Sequence, residues 1–277
     1  MSAIPPRSAA DLAADLARLG VAPGDALMVH ASLRRIGAGA ATVIDAIDRA
    51  VGSDGTWMMV LGAVIEHEWV NEHPEADREA LLADAPPWDR LAAPALASEV
   101  GYLAEAFRVA PGTVVSDNPS GRFGARGRLA EAFVREAPWH DYYGVGSPLE
   151  RLCRAGGKVL RMGANPDTTT VLHHAEYLAT MPHKRRVTRH YKVRDGDGEV
   201  RVRAISCLDD EHGLVDFPRA SDPPGAWPHD DYFAVILGAY LALGRHASGP
   251  IGGADSHLLD AADLVAFGAD WMSRHLA

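Results

Sequence analysis

Cysteine is scarce: Cys153 and Cys207 are the only two in 277 residues. That is too few for a disulfide framework in a chain of this size, so both are expected as free thiols, and neither sits in a nucleophile setting. Long apolar runs are missing too. No stretch reaches the roughly 18 consecutive apolar residues of a membrane helix, and the opening Met1-Ser-Ala-Ile-Pro-Pro-Arg7 lacks the basic-then-apolar layout of a secretory signal. A cytoplasmic protein without a membrane partner is the expectation. Positive charge is the third shortage: 27 Lys and Arg face 37 Asp and Glu, a formal charge of −10. Phosphate backbones require a basic surface, so nucleic acid is excluded as the main partner, whereas a small cationic amine suits this balance.

Apolar side chains are not short, at 47% of residues, enough for a substantial buried core. The most informative stretch is Met162-Gly-Ala-Asn-Pro-Asp-Thr-Thr-Thr-Val-Leu-His-His-Ala-Glu-Tyr177. It follows the alternating run Lys158–Met162, which reads as a strand, and leads into a helical pattern over about 170–179, with Asp167 or a neighbouring threonine as N-cap. Loops of this kind, at the end of a buried strand, are where α/β proteins place their chemistry. Helical spacing lets Thr169, His173 and Glu176 share one face, while His174 is turned about 100° away. Zinc-binding helices offer histidines at i and i+4, not side by side, so no metal is assigned.

The rest of the chain alternates strand and helix signals. Residues 8–19 form a serine-capped helix closed by Gly20, and 26–30 a short buried strand. A Gly/Ala loop, a helix over 41–51 and a strand over 55–61 complete a βαβ unit and imply a parallel or mixed sheet. Residues 66–94 carry acids, prolines and tryptophan without a period, and read as an excursion or lid over a site. Helices are expected over 96–109, 127–135, 230–243 and 259–275, the last capped by Asp260 or Asp263, and another begins at Ser147-Pro. Two strands over 188–193 and 199–205 flank the turn Asp195-Gly-Asp-Gly198. No repeat or linker divides the chain, so 1–277 is read as one α/β domain: a central mixed sheet flanked by helices, with a small β-hairpin insertion.

Several pieces together identify a family. Leu27-Met-Val-His-Ala-Ser-Leu33, Ser116-Asp-Asn-Pro119 with Ala125-Arg-Gly127, Gly144-Val-Gly-Ser-Pro-Leu149, the central motif and Gly249-Pro-Ile-Gly252 stand in register over most of the chain. In these the sequence resembles the aminoglycoside 3-N-acetyltransferases of the antibiotic N-acetyltransferase type. The resemblance implies that family's fold, acetyl-CoA as acetyl donor, no metal, and the 3-amino group of an aminoglycoside as acceptor. It puts His173 at the catalytic histidine, and an imidazole is suited to deprotonate an amine. Thr170 would bond the thioester carbonyl, and His30, Ser32, Arg34 and Arg35 would meet the cofactor. Glu176, Asp167 and Asp210 are expected to meet the substrate's ammonium groups. The family's acidic pair after the hairpin falls on Ser206-Cys-Leu-Asp-Asp-Glu-His212, where the register leaves Asp209 or Glu211 to orient His173. The acceptor could instead be another small amine, or the chain a non-catalytic CoA- or antibiotic-binding relative. A monomer or homodimer is expected.

Overall fold

The computed structural model describes residues 7–63, 65–194 and 198–277. α1 (Ala9–Leu19) begins on a capping box, in which the Ser8 hydroxyl accepts from the Asp11 N–H and the Asp11 carboxylate accepts from the Ser8 N–H. β1 (Ala26–Ala31), α2 (Leu33–Ile36), α3 (Ala40–Val51) and β2 (Thr56–Val60) follow, with β1 and β2 parallel, as the βαβ reading requires. Next come α4 (Ile65–Asn71), α5 (Glu75–Leu81), α6 (Ala97–Val100), α7 (Tyr102–Arg108), β3 (Val114–Val115), β4 (Phe123–Gly127), α8 (Ala130–Val134) and α9 (Pro148–Arg154). β5 (Lys158–Met162) and α10 (Leu172–Leu178) carry the central motif. β6 (Arg186–Arg194) and β7 (Val200–Leu208) form the hairpin, and α11 (Tyr232–Ala242), β8 (Ala247–Ile251), β9 (Ala254–Asp260) and α12 (Ala261–His275) complete the chain.

Seven strands form one mixed sheet in the order β3-β4-β2-β1-β5-β9-β8, and β6-β7 is a separate two-stranded sheet. Alternation along the central strands feeds two cores. Leu27 and Val29 of β1, Trp57 and Met59 of β2 and Leu160 of β5 pack with α1, α3 and α7 on one face. Met28, Met58 and Val159 pack with α8, α10, α11 and α12 on the other. Burying each such side chain contributes roughly 1.5–3 kcal/mol, which is why strands covered on both faces read as unbroken apolar runs.

β1 and β5 run parallel with His30 opposite Arg161, so the loops leaving their carboxyl ends lie side by side. That edge is where open α/β sheets bind ligands. Gly163 makes the turn after β5 at φ 65°, and a Cβ there would come within 2.9 Å of the Arg35 Cβ and 3.0 Å of the Ala254 Cβ. Only glycine lets the two loops close on each other.

Several expectations are corrected. The 96–109 helix is two, broken at Gly101, whose φ of 79° no regular helix accommodates. The 127–135 helix is α8 alone, preceded by β4, and the first two residues of the 259–275 helix belong to β9. Asp260 caps α12 by accepting from the Asp263 N–H. The excursion contains α4 and α5 and is clipped to the hairpin: Asn71 and His190 exchange side-chain-to-backbone bonds, and the Trp88 N–H donates to the Lys192 carbonyl. The N-terminal reading falls on residues 1–6 and the hairpin turn on 195–197, outside the described residues.

Candidate active site

The carboxyl ends of β1 and β5 open into a cavity of about 690 Å³, with His173 and Thr170 in its wall. His173 stands in the first turn of α10. Its ring is stacked on Tyr143, with centroids 4.8 Å apart and planes 11° apart, and meets the Phe233 ring edge-on at 4.8 Å. Its Nδ1 is 2.8 Å from Glu176 Oε2, one turn on. Glu176 is 1% exposed, and its other oxygen accepts from the Tyr232 hydroxyl, which itself accepts from the Leu214 N–H at 3.1 Å. Ring and carboxylate are thus each held from two sides. Burial on its own holds an imidazole's pKa down; here the Glu176 carboxylate, through its charge and its hydrogen bond, and Asp210 and Asp231 from farther off outweigh it, and His173 is raised. Burial pushes the Glu176 carboxyl up, and His173 and Tyr232 pull it back.

The cavity has two ends of opposite character. One is basic: Arg34 and Arg35 are exposed at its mouth, and Arg35 also donates to the Gly163 carbonyl. Beside them His30, 6% exposed, has an Nε2 with no hydrogen-bond partner, and desolvation first, then the neighbouring Arg161 charge, lower its pKa to about 3. His30 is therefore neutral. The other end is acidic and is walled by Glu68, Glu72, Glu99, Asp210 and Glu211. Among these carboxylates lies a cation, Arg189, 2.8 Å from Asp210 and 3.3 Å from Glu68. Burial raises the carboxyl pKa of both Glu68 and Glu99, against the pull of Arg189.

The structure brings His173, Thr170, Asp167, Asp210 and Glu211 to one cavity, together with His30, Ser32, Arg34 and Arg35. It rearranges the carboxylates. Asp209 does not reach His173: it is 3% exposed and caps its own turn, accepting from the Glu211 and His212 N–H groups at 3.2 and 3.0 Å. Glu211 faces Arg189 instead, at 3.5 Å. The carboxylate on His173 is Glu176, so its expected place against substrate ammonium groups is corrected: it lies behind the ring, sealed from the cavity. Thr169 does not share His173's face, because its hydroxyl is tied to Arg161 at 2.6 Å and to the Pro166 carbonyl at 2.9 Å. Leu172 opens α10 without a side-chain cap, so neither Asp167 nor a threonine serves as one. His174 points away, with Nδ1 on the Tyr143 carbonyl at 2.8 Å. Ser32 caps α2, its hydroxyl accepting from the Arg35 N–H at 3.4 Å.

Sequence reasoning missed Glu68, Glu99, Arg189, Tyr143 and Tyr232. The i, i+3 spacing of His173 and Glu176 was the signal for their pairing. Nothing local marks the others, which arrive from separate segments.

Comparison with known proteins gives one answer over the whole chain. Residues 28–273 match the family model described as aminoglycoside 3-N-acetyltransferase. The chain is 40% identical over 269 residues to aminoglycoside N(3)-acetyltransferase VIII of Streptomyces fradiae, covering 96% of this chain and 91% of that one. Among solved structures it is similar to AAC-IIIb in its binary complex with CoASH, at a TM-score of 0.81 and 38% identity over 97% of each chain. It is also similar to AAC-VIa bound to sisomicin, at a TM-score of 0.86 and 35% identity over 98% of this chain and 100% of that one. A chain with this fold, this cavity and these relatives belongs to the aminoglycoside 3-N-acetyltransferase family.

Proposed function

We propose that the protein transfers the acetyl group of acetyl-CoA to the 3-amino group of an aminoglycoside, directly between the two substrates, with His173 as general base. The observation that carries this reading is His173, backed by the buried Glu176, in the wall of a cavity that is basic at one end and acidic at the other.

The residues of the basic end fit acetyl-CoA. Arg34 and Arg35 offer exposed guanidinium groups to phosphates, and Ser32 and His30 stand beside them in the cavity wall, where the pantetheine chain would pass. Acetyl-CoA, when bound, supplies an activated thioester. The acidic end holds the ammonium groups of the acceptor with its carboxylates, Asp210 and Glu211 among them, and Asp167, in the cavity wall on the loop before α10, meets a further one. With Nδ1 committed to Glu176, His173 Nε2 is the ring atom left to take a proton. It removes that proton as the amine nitrogen bonds to the carbonyl carbon; the carbon–sulfur bond breaks and the thiolate leaves. The imidazolium so formed is stabilised by the buried Glu176 carboxylate, which Tyr232 keeps in place. Thr170, one turn before His173, donates its hydroxyl to the carbonyl oxygen as charge gathers there.

The test is thiol release from acetyl-CoA in the presence of sisomicin, with the acetylated position of the product read by NMR. Acetylation at the 3-amino group is the expected result. Release without acceptor, or acetylation elsewhere on the ring system, overturns the reading.

A further inference from the structure

The acidic end of the cavity contains its own cation. Along β6 the inward row is Arg189, Tyr191 and Val193, so Arg189 occupies a position that strand alternation gives to an apolar residue. It is 6% exposed, and a buried guanidinium persists only where its charge is matched. The match comes from three carboxylates on two separate segments, Glu68 on one and Asp210 with Glu211 on the other. Nη2 donates to Asp210 Oδ1 at 2.8 Å, and Nη1 lies 3.3 Å from Glu68 Oε2 and 3.5 Å from Glu211 Oε2. Two of those carboxylates are fixed again from behind, Asp210 by the Tyr142 hydroxyl at 2.9 Å and Glu68 by the Tyr191 hydroxyl at 2.8 Å. Glu72 and Glu99 are the carboxylates of this end not tied to Arg189.

A guanidinium in that position occupies the ground that an amine of the substrate would take. We infer that Arg189 is a tethered cation filling one ammonium position of the acidic end, so that the protein favours aminoglycosides carrying a hydroxyl, in place of an amino group, where the ligand faces Arg189. This rests on the reading that the cavity binds aminoglycosides. A hydroxyl can accept from the guanidinium, whereas an ammonium beside it meets a like charge and competes for the same carboxylate oxygens. Arg189 is on this account a specificity-determining residue, with no part in the proton transfer.

Two matched reagent pairs test it: kanamycin A against kanamycin B, which differ by a 2′-hydroxyl or 2′-amino group, and paromomycin against neomycin B, which differ by a 6′-hydroxyl or 6′-amino group. The readout is the ratio of kcat/KM for the amino member to that for the hydroxyl member, with the KM for acetyl-CoA as control. The native protein should give a ratio at or below one in at least one pair. Arg189→Gln should raise that ratio roughly 10-fold, as expected for removing one like charge at contact range, while Arg189→Lys keeps it near the native value. A native ratio of about 10 or more in both pairs overturns the inference, and needs no variant to fold. So does an Arg189→Gln protein whose ratios stay native. A native protein active on the hydroxyl members, with ratios of that overturning kind, leaves the aminoglycoside reading intact. One inactive on all four compounds removes that reading and this inference with it.

Discussion

The two ends of the cavity reach opposite charge by opposite routes. The basic end is local: His30, Ser32, Arg34 and Arg35 follow one another off a single strand, and one turn of helix presents them. The acidic end is assembled from afar, Glu68 from α4, Glu99 from α6, and Asp210 and Glu211 from the turn after β7, with Arg189 from β6 in their midst. A local end keeps its chemistry wherever its strand folds. An assembled end exists only while the excursion stays clipped to the hairpin, and its charges depend on one another. His173, between them, belongs to neither.

That independence gives the largest expected effect. His173→Ala should lower kcat by roughly 10²–10⁴ and leave the KM for both substrates within a few-fold, because the loss is of base catalysis and not of binding at either end. Steady-state kinetics with acetyl-CoA and sisomicin decide it. A variant that lost acetyl-CoA affinity to the same degree would show that the ring belongs to the basic end. His174 is a weaker control than its turned-away position implies, since its bond to the Tyr143 carbonyl supports the residue on which His173 stacks.

Glu176→Gln should cost roughly 10- to 100-fold in kcat. It should also move the pH profile. A base works deprotonated, so activity of the native protein rises with pH through an ionisation above the ordinary imidazole value, where Glu176 holds it against burial. With the carboxylate gone, burial prevails and the rising limb shifts to lower pH. A limb that stays in place would mean that Asp210 or Asp231, not Glu176, sets the ionisation.

How much of this was legible in the sequence follows the same division between local and assembled. Strands β1 and β2 announced themselves because they are covered on both faces and carry apolar residues at nearly every position, and β5 because Val159, Leu160 and Met162, set among the charged Lys158 and Arg161, make a short run that leads into the central motif. The last two residues of β9 were absorbed into the helix after it, because Leu259 and Asp260 continue smoothly into an apolar period whose cap lies inside the run. Helix α7 looked longer than it is because periodicity does not see a left-handed glycine in its path. His173 stood out by its motif. The choice of Asp209 or Glu211 as its partner failed because carboxylates two residues apart in a turn differ only in where their side chains are already spent, and Asp209's is spent on its own turn. Arg189 was invisible, as strand alternation marks a row but not what charge awaits it across the cavity.

The two ends should separate cleanly under mutation. Replacing Arg34 and Arg35 together by Gln should raise the KM for acetyl-CoA roughly 10-fold and leave that for sisomicin unchanged, whereas Glu72→Gln with Glu99→Gln should do the reverse. Added salt sharpens the contrast, since exposed attraction is screened beyond about 8 Å at physiological ionic strength. Each double variant should lose the salt dependence of its own substrate only. Both KM values moving together in either variant would mean that the ends communicate.

The smallest effect concerns stability, and it isolates His30 within the basic end. In the unfolded chain this imidazole titrates near its ordinary value of 6.5, but in the folded protein burial and then Arg161 depress it to about 3. Between those values the unfolded state binds a proton that the folded state refuses. The contribution of a neutral His30 is therefore complete above about pH 6.5 and is lost as pH falls toward 3, by at most roughly 1.4 kcal/mol per pH unit. His173 has the opposite sign: its raised ionisation stabilises the fold fully below its ordinary value and stops doing so as pH rises through the raised one. The two histidines can thus be told apart by the side of pH 6.5 on which stability changes. Denaturant midpoints of the native protein and His30→Gln, compared between pH 4.5 and 6.5, should converge as pH falls, because carboxylate titration is common to both and only the native protein carries the His30 penalty. Parallel midpoints would show that His30 gains a proton in the folded state, and the basic end would then hold a third cation for phosphate. A neutral His30 instead requires that acetyl-CoA affinity not titrate with this residue between pH 6 and 8, leaving Arg34 and Arg35 as that end's exposed cations.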